Sequence, residues 1–340
     1  MFLQVNDLKV EFSTEDGVLT AVDGLSFSLE RGRTLAVVGE SGSGKTATIL
    51  AIMGLHDANT RISGSIHLDG QQIVGARAST LRRLRGERVA MIFQDPLTAM
   101  HPYHRIGAQI TEAYRTHHKS SAGQAANRAL ELLDRVGLAD PRRCFNSYPH
   151  ELSGGMRQRA MIAMALVCSP DLLIADEPTT ALDVTIQAQI LELLSDLQKE
   201  FNSATILVTH DLGVVAELAD DVVVLYGGKA AETGNVRDIF YRTGHPYTHG
   251  LLASIPRLDQ PRYRLDAIPG SPPSLTDMPS GCRFNPRCLF ASTVTDDLCN
   301  SKAPPLKAIA PGHFVSCHLD SERQKIADRL AAQPEHGEHS

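Results

Sequence analysis

The hydrophobic positions of this chain repeat with two periods, one typical of strands and one of helices. Apolar and polar residues alternate over residues 8–12, and residues 1–30 as a whole predict short strands joined by turns. Compact apolar runs predict buried strands at residues 34–38, 172–175, 204–209 and 222–226. An amphipathic helix is predicted between the second and third runs, with one apolar face formed by Ile186, Ile190, Leu193, Leu197 and Phe201. Strands that alternate with helices indicate an α/β fold with a largely parallel sheet.

Two parts of the chain between the first two buried runs are predicted to be helical, and a strand-like run at residues 89–93 precedes the second of them. Residues 45–55 predict a helix directly after the first run, and residues 94–165 predict several more. One of these, at residues 128–136, stops at Gly137, as helices commonly do at a glycine. We therefore expect a helical subdomain of about residues 95–165, inserted into the α/β fold.

The composition changes after about residue 255. Prolines disfavour regular helix and strand, and six of them fall within a short span: Pro256, Pro261, Pro269, Pro272, Pro273 and Pro279. Four of the six cysteines follow. The sequence thus predicts a first domain over residues 1–255, a small irregular Cys-rich region over residues 256–320, and a polar tail over residues 321–340 that frays beyond a short helix.

Composition and charge exclude several classes of protein. A chain of 340 residues with 42% hydrophobic content has enough apolar side chains for a folded core. The net charge of −6 and the pI near 6.2 give no basic surface for nucleic acid. No apolar run reaches the roughly 18 residues of a membrane span, and the N-terminus lacks the pattern of an export signal. Six cysteines in an unexported chain predict metal binding or inert thiols rather than disulfides.

Residues 39–46, GESGSGKT, match the phosphate-loop pattern G-x-x-x-x-G-K-S/T between a predicted strand and a predicted helix. Glycines let backbone N–H groups converge on phosphate oxygens, and the helix N-terminus adds partial positive charge. Lys45 would bind the β- and γ-phosphates, and the Thr46 hydroxyl would ligate Mg²⁺. The predicted ATP-binding residues of this loop are Gly39, Ser41, Gly42, Ser43, Gly44, Lys45 and Thr46.

A second candidate element is the apolar run LLIADE at residues 172–177, which ends in two carboxylates. Parallel strands present functional residues at their carboxyl ends. Phosphoryl transfer needs one acid at the metal and one at the attacking water. We therefore predict that Asp176 holds Mg²⁺ and that Glu177 is the general base.

Further motifs in a fixed order separate this chain from other phosphate-loop proteins. They are Gln94 in IFQDP, LSGGM at 152–156, ALD at 181–183 and His210 in VTHD. With the two motifs above, the set resembles the ABC ATPases over about residues 1–235. The resemblance implies a P-loop NTPase fold, the ABC nucleotide-binding domain, with a RecA-like core, an antiparallel β subdomain and a helical subdomain.

The resemblance also implies roles for single residues. Gln94 would touch Mg²⁺ or the attacking water, His210 would donate to the γ-phosphate, and Asp183 would belong to the nucleotide site. Phe12 would stack on adenine, although an aromatic in an amphipathic strand is usually core. Ser153, Gly154 and Gly155 open a predicted helix and would bind the γ-phosphate of a nucleotide held by an opposing subunit.

The C-terminal third resembles the ATP-binding subunits of oligopeptide/dipeptide permeases, through GHPYT at 244–248, Leu251-Leu252 and GCRFNPRC at 281–288. This implies a peripheral protein on the cytoplasmic face of the inner membrane. Its partners would be a second ATPase subunit, forming a heterodimer, two transmembrane permease subunits and, indirectly, an extracytoplasmic solute-binding protein. One departure is AMHP at 99–102, where relatives usually have SLNP, in the region expected to meet the permease.

Four cysteines of the tail form a candidate metal site: Cys282, Cys288, Cys299 and Cys317. Their spacing contains no C-x₂-C pair and is not that of ferredoxins, so zinc, an iron–sulfur cluster and free thiols all stay open. The resemblance implies a 4Fe–4S cluster with a structural role. Cys144 and Cys168 are expected to be ordinary, partly buried thiols.

Alternatives in other functional classes fit the sequence less well. A soluble ABC ATPase of DNA repair or translation would carry long coiled coils, two nucleotide domains or basic surfaces. A regulatory subunit without turnover is disfavoured because Lys45, Asp176, Glu177 and His210 are all present. Among importers, nickel, glutathione or other small solutes stay open as cargo, since the binding protein and the permease select it.

Overall fold

A computed structural model describes residues 1–15, 17–180, 182–254 and 268–319. In chain order its strands are β1 (Leu3–Thr14), β2 (Gly17–Leu29), β3 (Thr34–Val38), β4 (Thr60–Leu68), β5 (Gln71–Gln72), β6 (Val89–Ile92), β7 (Leu172–Asp176), β8 (Ala204–Thr209), β9 (Asp221–Tyr226), β10 (Lys229–Asn235), β11 (Lys307–Ala310) and β12 (His313–Val315). Its helices are α1 (Lys45–Met53), α2 (Ala78–Glu87), α3 (Pro96–Ala99), α4 (Ile106–His117), α5 (Ala122–Arg135), α6 (Pro141–Asn146), α7 (Gly154–Leu166), α8 (Val184–Phe201), α9 (Leu212–Leu218), α10 (Val236–Tyr241), α11 (Pro246–Ala253) and α12 (Leu298–Ser301).

The N-terminal residues form an antiparallel sheet of four strands in the order β2-β1-β4-β5. β1 and β2 are long strands rather than the short strands predicted for residues 1–30. The register between them shifts at three places. At these irregularities the alternation of apolar and polar residues is interrupted, but the two strands remain paired. One face of this sheet packs over α1 and the main sheet, in a core that includes Leu3, Leu25, Ile49 and Ile66.

The main sheet has eight strands in the order β11-β12-β10-β9-β3-β8-β7-β6. The strands from β9 to β6 are parallel, and β10, β12 and β11 add an antiparallel edge. β3 and β8 have the predicted bounds, and β7 and β9 are each one residue longer than predicted. Every residue of β3 and β8 is buried, which explains why these strands read as unbroken apolar runs.

This strand order brings the predicted motifs to one edge of the sheet. The phosphate loop follows β3, His210 follows β8, Asp176 ends β7 and Gln94 lies two residues after β6. β3, β8, β7 and β6 are parallel neighbours, so all four motifs lie at the carboxyl ends of adjacent strands.

Helices α3 to α7 occupy the chain between β6 and β7, where the sequence predicts helix. α5 begins with a capping box, in which Ser121 and Gln124 bond each other's backbone N–H, and the chain leaves it through Gly137 at φ 76°. The inward faces of these helices share one core with β7 and α8, including Ile110, Leu132 and Leu173. No helix within the described ranges is long and apolar enough to cross a membrane.

The region after residue 268 contains more regular structure than the irregular chain predicted for it. Beside short 3₁₀ turns and α12, it forms β11 and β12, and β12 pairs with β10 through Glu232–Val315 and Thr233–Phe314. Two strands this short lack a strong sequence signal and gain their stability from the existing edge of β10. Pro256, Pro261, the predicted boundary at residue 255 and the polar tail lie outside the described residues.

Candidate functional site

The phosphate loop is a tight turn that two positions restrict to glycine. Gly39 has φ 154°, and a Cβ there would clash with the Leu225 carbonyl and lie 2.7 Å from Ser43 Oγ. Gly44 has φ 101° at the N-cap of α1, a left-handed conformation that side chains rarely adopt. The loop therefore keeps its backbone close to the strand end, as binding of phosphate by backbone N–H groups requires.

Lys45 crosses the inside of this loop. Its buried Nζ donates to the carbonyls of Gly39 at 2.7 Å and Glu40 at 3.0 Å. Burial lowers the pKa of Lys45, while the charges of Glu177, Asp176 and Glu40 act in the opposite direction. The ammonium is thus held among carbonyls and carboxylates, and phosphate oxygens are the same kind of ligand.

The hydroxyl groups of the loop suit a triphosphate with its metal ion. Ser41 and Thr46 are exposed, and Thr46 lies in the first turn of α1 beside Lys45. Ser43 is buried, and its Oγ has no hydrogen-bond partner. A buried hydroxyl without a hydrogen-bond partner costs free energy unless a ligand supplies that partner. The hydroxyl groups of the loop therefore fit a bound nucleotide.

Asp176 and Glu177 lie at the end of β7 with opposite shifts in acidity. Burial raises the pKa of Asp176 to about 6, the charge of Glu177 adds to the rise, and Lys45 opposes it. Burial also acts to raise the pKa of Glu177, but hydrogen bonds from His210 and Thr180, together with the charges of His210 and Lys45, hold it below its usual value. Glu177 is therefore the more acidic member of the pair.

Gln94 and His210, which the sequence predicts to be catalytic, both contact the carboxylate of Glu177, and so does Thr180. Gln94 Nε2 donates to Oε2 at 2.8 Å, Thr180 Oγ1 donates to the same oxygen at 3.0 Å, and His210 Nδ1 lies 3.1 Å from Oε1. The backbone of Glu177 has φ 45° and donates its N–H to the Val208 carbonyl at 2.8 Å. Thr180 was not among the predicted site residues, although its position three residues after Glu177 in EPTT is a usable signal.

The signature residues lie at a separate, exposed helix start. Ser153 caps α7, with its Oγ accepting the Met156 N–H at 3.3 Å, and both Ser153 and Gly154 are exposed. A Cβ on Gly155 would lie 3.1 Å from Ile186 of α8. Exposed Asp183 caps α8 in the same way, accepting the Ile186 N–H at 3.0 Å. These two helix starts therefore adjoin each other and present polar groups outwards.

Phe12 lies in β1 and is half-buried against the core of the antiparallel sheet. Its contact with that core agrees with the structural interpretation, and the side chain is partly exposed. The stacking role stays a prediction.

The tail cysteines are neighbours but are not arranged as a metal site. The Cys282 N–H donates to the Cys299 carbonyl at 2.8 Å. Burial raises the pKa of Cys288 to about 12, and the charges of Cys317, Cys282 and Cys299 add to the rise. Over the described ranges, however, no group of three or more His, Cys, Asp or Glu side chains is placed to hold a metal ion.

Packing accounts for this departure from the predicted iron–sulfur site. Cys282 and Cys299 are buried in an apolar cluster with Tyr247 and Phe284, whereas Cys317 packs in a different cluster with Val315. The buried side chains of Cys282, Cys299 and Cys317 thus pack as small apolar groups. The arrangement shown here gives no support to a metal centre.

The remaining cysteines behave as inert thiols. Burial raises the pKa of both Cys144 and Cys168 to about 11. Few of these thiols would be ionised at neutral pH, so they are poor nucleophiles.

Comparison with known families matches two parts of the chain. The family described as "ABC transporter" matches residues 22–180, and the family described as "Oligopeptide/dipeptide transporter, C-terminal region" matches residues 231–294. The first match contains the phosphate loop, the signature and Glu177, and the second contains GHPYT and GCRFNPRC.

Curated relatives and solved structures agree with these matches. The chain is 51% identical to the oligopeptide transport ATP-binding protein of Salmonella typhimurium, over 93% of each chain. It is 46% identical to the dipeptide transport ATP-binding protein of Escherichia coli, over 93% of this chain and 96% of that protein. A dimeric bacterial ABC transporter cassette superposes with a TM-score of 0.62 at 25% identity, over 69% of this chain and 99% of that one. A subunit of an ABC transporter complex from Clostridium perfringens superposes with a TM-score of 0.60 at 28% identity, over 71% and 92%.

About half of the residues are identical to those of these relatives over nearly the full length of the chain, and this shows the family. The phosphate loop and the two acids at the end of β7 also have the geometry that an ATPase needs. The chain belongs to the ATP-binding proteins of ABC transporters, in the oligopeptide/dipeptide transport group.

Proposed function

We propose that this protein hydrolyses ATP to drive the uptake of dipeptides or oligopeptides by an ABC importer. The observation that carries the proposal is the convergence of Gln94, Thr180 and His210 on Glu177, at the sheet edge that also carries the phosphate loop. The peptide cargo is supported by the names of the relatives and by the match of the C-terminal region.

The residues divide the reaction between binding and proton transfer. Backbone N–H groups of residues 39–46 bind the phosphates, and Lys45 exchanges its two carbonyl partners for phosphate oxygens. Thr46, Asp176 and Gln94 are the proposed Mg²⁺ ligands. When bound, Mg²⁺ neutralises charge on the β- and γ-phosphates.

Glu177 is the proposed general base. Its carboxylate accepts a proton from water, the water oxygen bonds to the γ-phosphorus, and the bond from that phosphorus to the bridging oxygen of ADP breaks. Gln94 and His210 hydrogen-bond to the carboxylate of Glu177 and hold it in place. When ATP binds, Gln94 would turn to the attacking water and His210 to the γ-phosphate. This exchange of hydrogen-bond partners would couple Glu177 to the arrival of the nucleotide.

The proposed partner arrangement follows from the exposed helix starts. Ser153, Gly154 and Gly155, with Asp183 nearby, would face a nucleotide bound mainly by a second ATPase subunit, giving a head-to-tail pair, here a heterodimer. Two transmembrane permease subunits and a solute-binding protein would complete the importer, with this chain on the cytoplasmic face of the inner membrane. The exposed side chains of Leu97 and Tyr103 flank AMHP at 99–102 and are candidates for the permease contact.

The 4Fe–4S cluster stays a prediction that rests on the resemblance of the tail. Cys317 packs with Val315 and not in the cluster of Cys282 and Cys299, but it lies close enough to Cys288 for their charges to interact. Metal analysis of anaerobically purified protein tests it: about four irons per chain would support the cluster. Zinc alone, or no metal, would reject it.

The ATPase proposal is tested by Glu177→Gln in the assembled complex. The variant should bind ATP as the wild type does, because phosphate binding uses other residues, but hydrolysis should fall by about a hundredfold or more. Glu192→Gln, a change at an exposed acid of α8, is the matched control and should keep normal turnover. Near-normal hydrolysis by Glu177→Gln would remove Glu177 as the base.

Cargo is tested separately. In vesicles containing the complex, ATP hydrolysis should rise with binding protein loaded with a mixture of short peptides. Stimulation by nickel or glutathione instead would reassign the cargo and leave the ATPase proposal intact. A chain that hydrolyses ATP without any permease partner would favour the non-transport alternative.

A further inference from the structure

The C-terminal region binds directly to the phosphate loop through Glu40, the first residue after Gly39. Arg287 is buried, and its Nη1 and Nη2 donate to the two carboxylate oxygens of Glu40 at 2.6 and 3.0 Å. Such a bidentate pair is among the stronger polar contacts in proteins and fixes orientation as well as distance. Glu40 and Arg287 are 247 residues apart in the chain.

Arg287 is itself held from two further directions. Its Nε donates to the Pro269 carbonyl at 2.8 Å, and Nη1 also lies 3.3 Å from the Tyr226 hydroxyl. Tyr226 is the last residue of β9, the strand beside β3. The guanidinium is therefore a positioned group and not a mobile surface charge.

A second side chain, that of Tyr247 in α11, also contacts Glu40. The hydroxyl of fully buried Tyr247 accepts the Glu40 N–H at 2.9 Å. The chain leading to Tyr247 is fixed by Glu232, whose carboxylate accepts the N–H groups of Gly244 at 2.7 Å and His245 at 3.1 Å. Both the side chain and the N–H of Glu40 are thus held by residues of the C-terminal third.

The third polar group of Glu40, its backbone carbonyl, faces the nucleotide site. This carbonyl accepts a hydrogen bond from Lys45 Nζ at 3.0 Å, so Glu40 lies between Lys45 and Arg287. The charge of Glu40 also opposes the larger effect of burial, which lowers the pKa of Lys45. A carboxylate released from Arg287 would compete with phosphate oxygens for the Lys45 ammonium and would repel the triphosphate.

We propose that Arg287 is a positioning residue of the nucleotide site, which holds and neutralises the Glu40 carboxylate so that Lys45 is available to ATP. This rests on the proposed function only in requiring that the phosphate loop binds ATP. It gives the C-terminal region a direct part in nucleotide affinity, independent of any metal in that region.

The test is a rescue experiment on ATP binding to the full-length protein. Arg287→Ala should raise the ATP dissociation constant roughly tenfold, because a coupled, partly buried ion pair is broken beside the site. Adding Glu40→Gln to that variant removes the competing charge and should return the constant to within about threefold of wild type. Arg287→Lys, which keeps the charge but not the bidentate geometry, should give a smaller rise that Glu40→Gln also relieves.

The control is Arg242→Ala. This change breaks the ion pair between the exposed side chain of Arg242 and Asp238, and it should leave ATP affinity unchanged. A merely structural role for Arg287 predicts that the double variant binds ATP as weakly as Arg287→Ala, or more weakly, and that outcome would overturn the proposal. Unchanged affinity in Arg287→Ala or, should that variant not fold, in Arg287→Lys would also overturn it. Failure of the wild type to bind ATP would instead reject the proposed function.

Discussion

Two adjacent carboxylates, Asp176 and Glu177, differ in acidity because the chain turns between them. Asp176 still belongs to β7, and its burial outweighs its attraction to Lys45. Glu177 leaves the strand with φ 45° and reaches His210 and Thr180, which stabilise its ionised form. Neighbouring acids with opposite shifts are a common basis for dividing roles in catalysis. Here the division matches a metal ligand beside a general base.

The raised pKa of Asp176 has a consequence for stability in metal-free protein. The folded state binds a proton up to about pH 6, whereas the ordinary value is 3.8, so the folded state holds more protons between these values. The contribution of protonated Asp176 is therefore fully present below about pH 4 and is lost as the pH rises through about 6. At neutral pH the buried charge destabilises the fold.

We therefore expect Asp176→Asn to raise the melting temperature in EDTA at pH 7.5 by roughly 2–4 °C, with little gain at pH 4. Thermal unfolding at the two pH values measures this. Asp134→Asn, at an exposed acid of α5, is the control and should show no such difference. An equal gain at both pH values would contradict the assignment.

At the scale of elements, a buried contact joins β12 to β10 at the antiparallel edge of the main sheet. Glu232 of β10 is fully buried, and His313 at the start of β12 donates to it from Nε2 at 2.7 Å. The same carboxylate holds the backbone that leads to Tyr247. A single buried acid thus links β12, β10 and the residues that contact the phosphate loop.

His313→Ala should lower the free energy of unfolding by about 2–3 kcal/mol, because it leaves a buried acceptor without this hydrogen-bond partner. Denaturant unfolding of the purified protein measures this change. His318→Ala, which removes a hydrogen bond to the Lys302 carbonyl near the surface, is the control and should cost about 0.5 kcal/mol or less. Equal losses in the two variants would show that the hydrogen bond between His313 and Glu232 contributes no more to stability than one near the surface.

Elements that the sequence predicted well are those whose stability is decided locally. β3 and β8 read as unbroken apolar runs because both faces of the sheet are covered, and α8 shows its period because only one face is buried. β11 and β12 carry no comparable signal, since partner strands and not composition hold them. The length of β1 and β2 was missed because register shifts interrupt their alternation.

At the scale of the whole molecule, the phosphate loop and the signature are different kinds of site. The loop is completed by strand ends of its own chain, whereas Ser153 and Gly154 are exposed at the start of α7. A helix N-terminus with free N–H groups attracts an anion. The exposed position is consistent with a phosphate brought by a partner subunit.

Ser153→Asp separates the two sites. Aspartate is as good a helix cap as serine, so α7 should persist, but its charge would repel the partner's γ-phosphate. ATP binding by the isolated chain should be unchanged, while hydrolysis by the assembled complex should fall by about a hundredfold. Ser121→Asp makes the same change at the cap of α5 and should leave turnover normal. Full activity of the Ser153 variant would argue against a shared site.

The sequence by itself determined the features that depend on local spacing. Glycines at fixed intervals, one lysine and a strand-end pair of acids specify a phosphate site, because backbone geometry over a few residues is enough to form it. The tertiary structure decided which side chains meet. The bonds from Gln94 and His210 to Glu177 and the ion pair between Arg287 and Glu40 all join residues far apart in the chain. Such contacts arise only when the sheet order and the docking of β12 are set, and local patterns do not encode them.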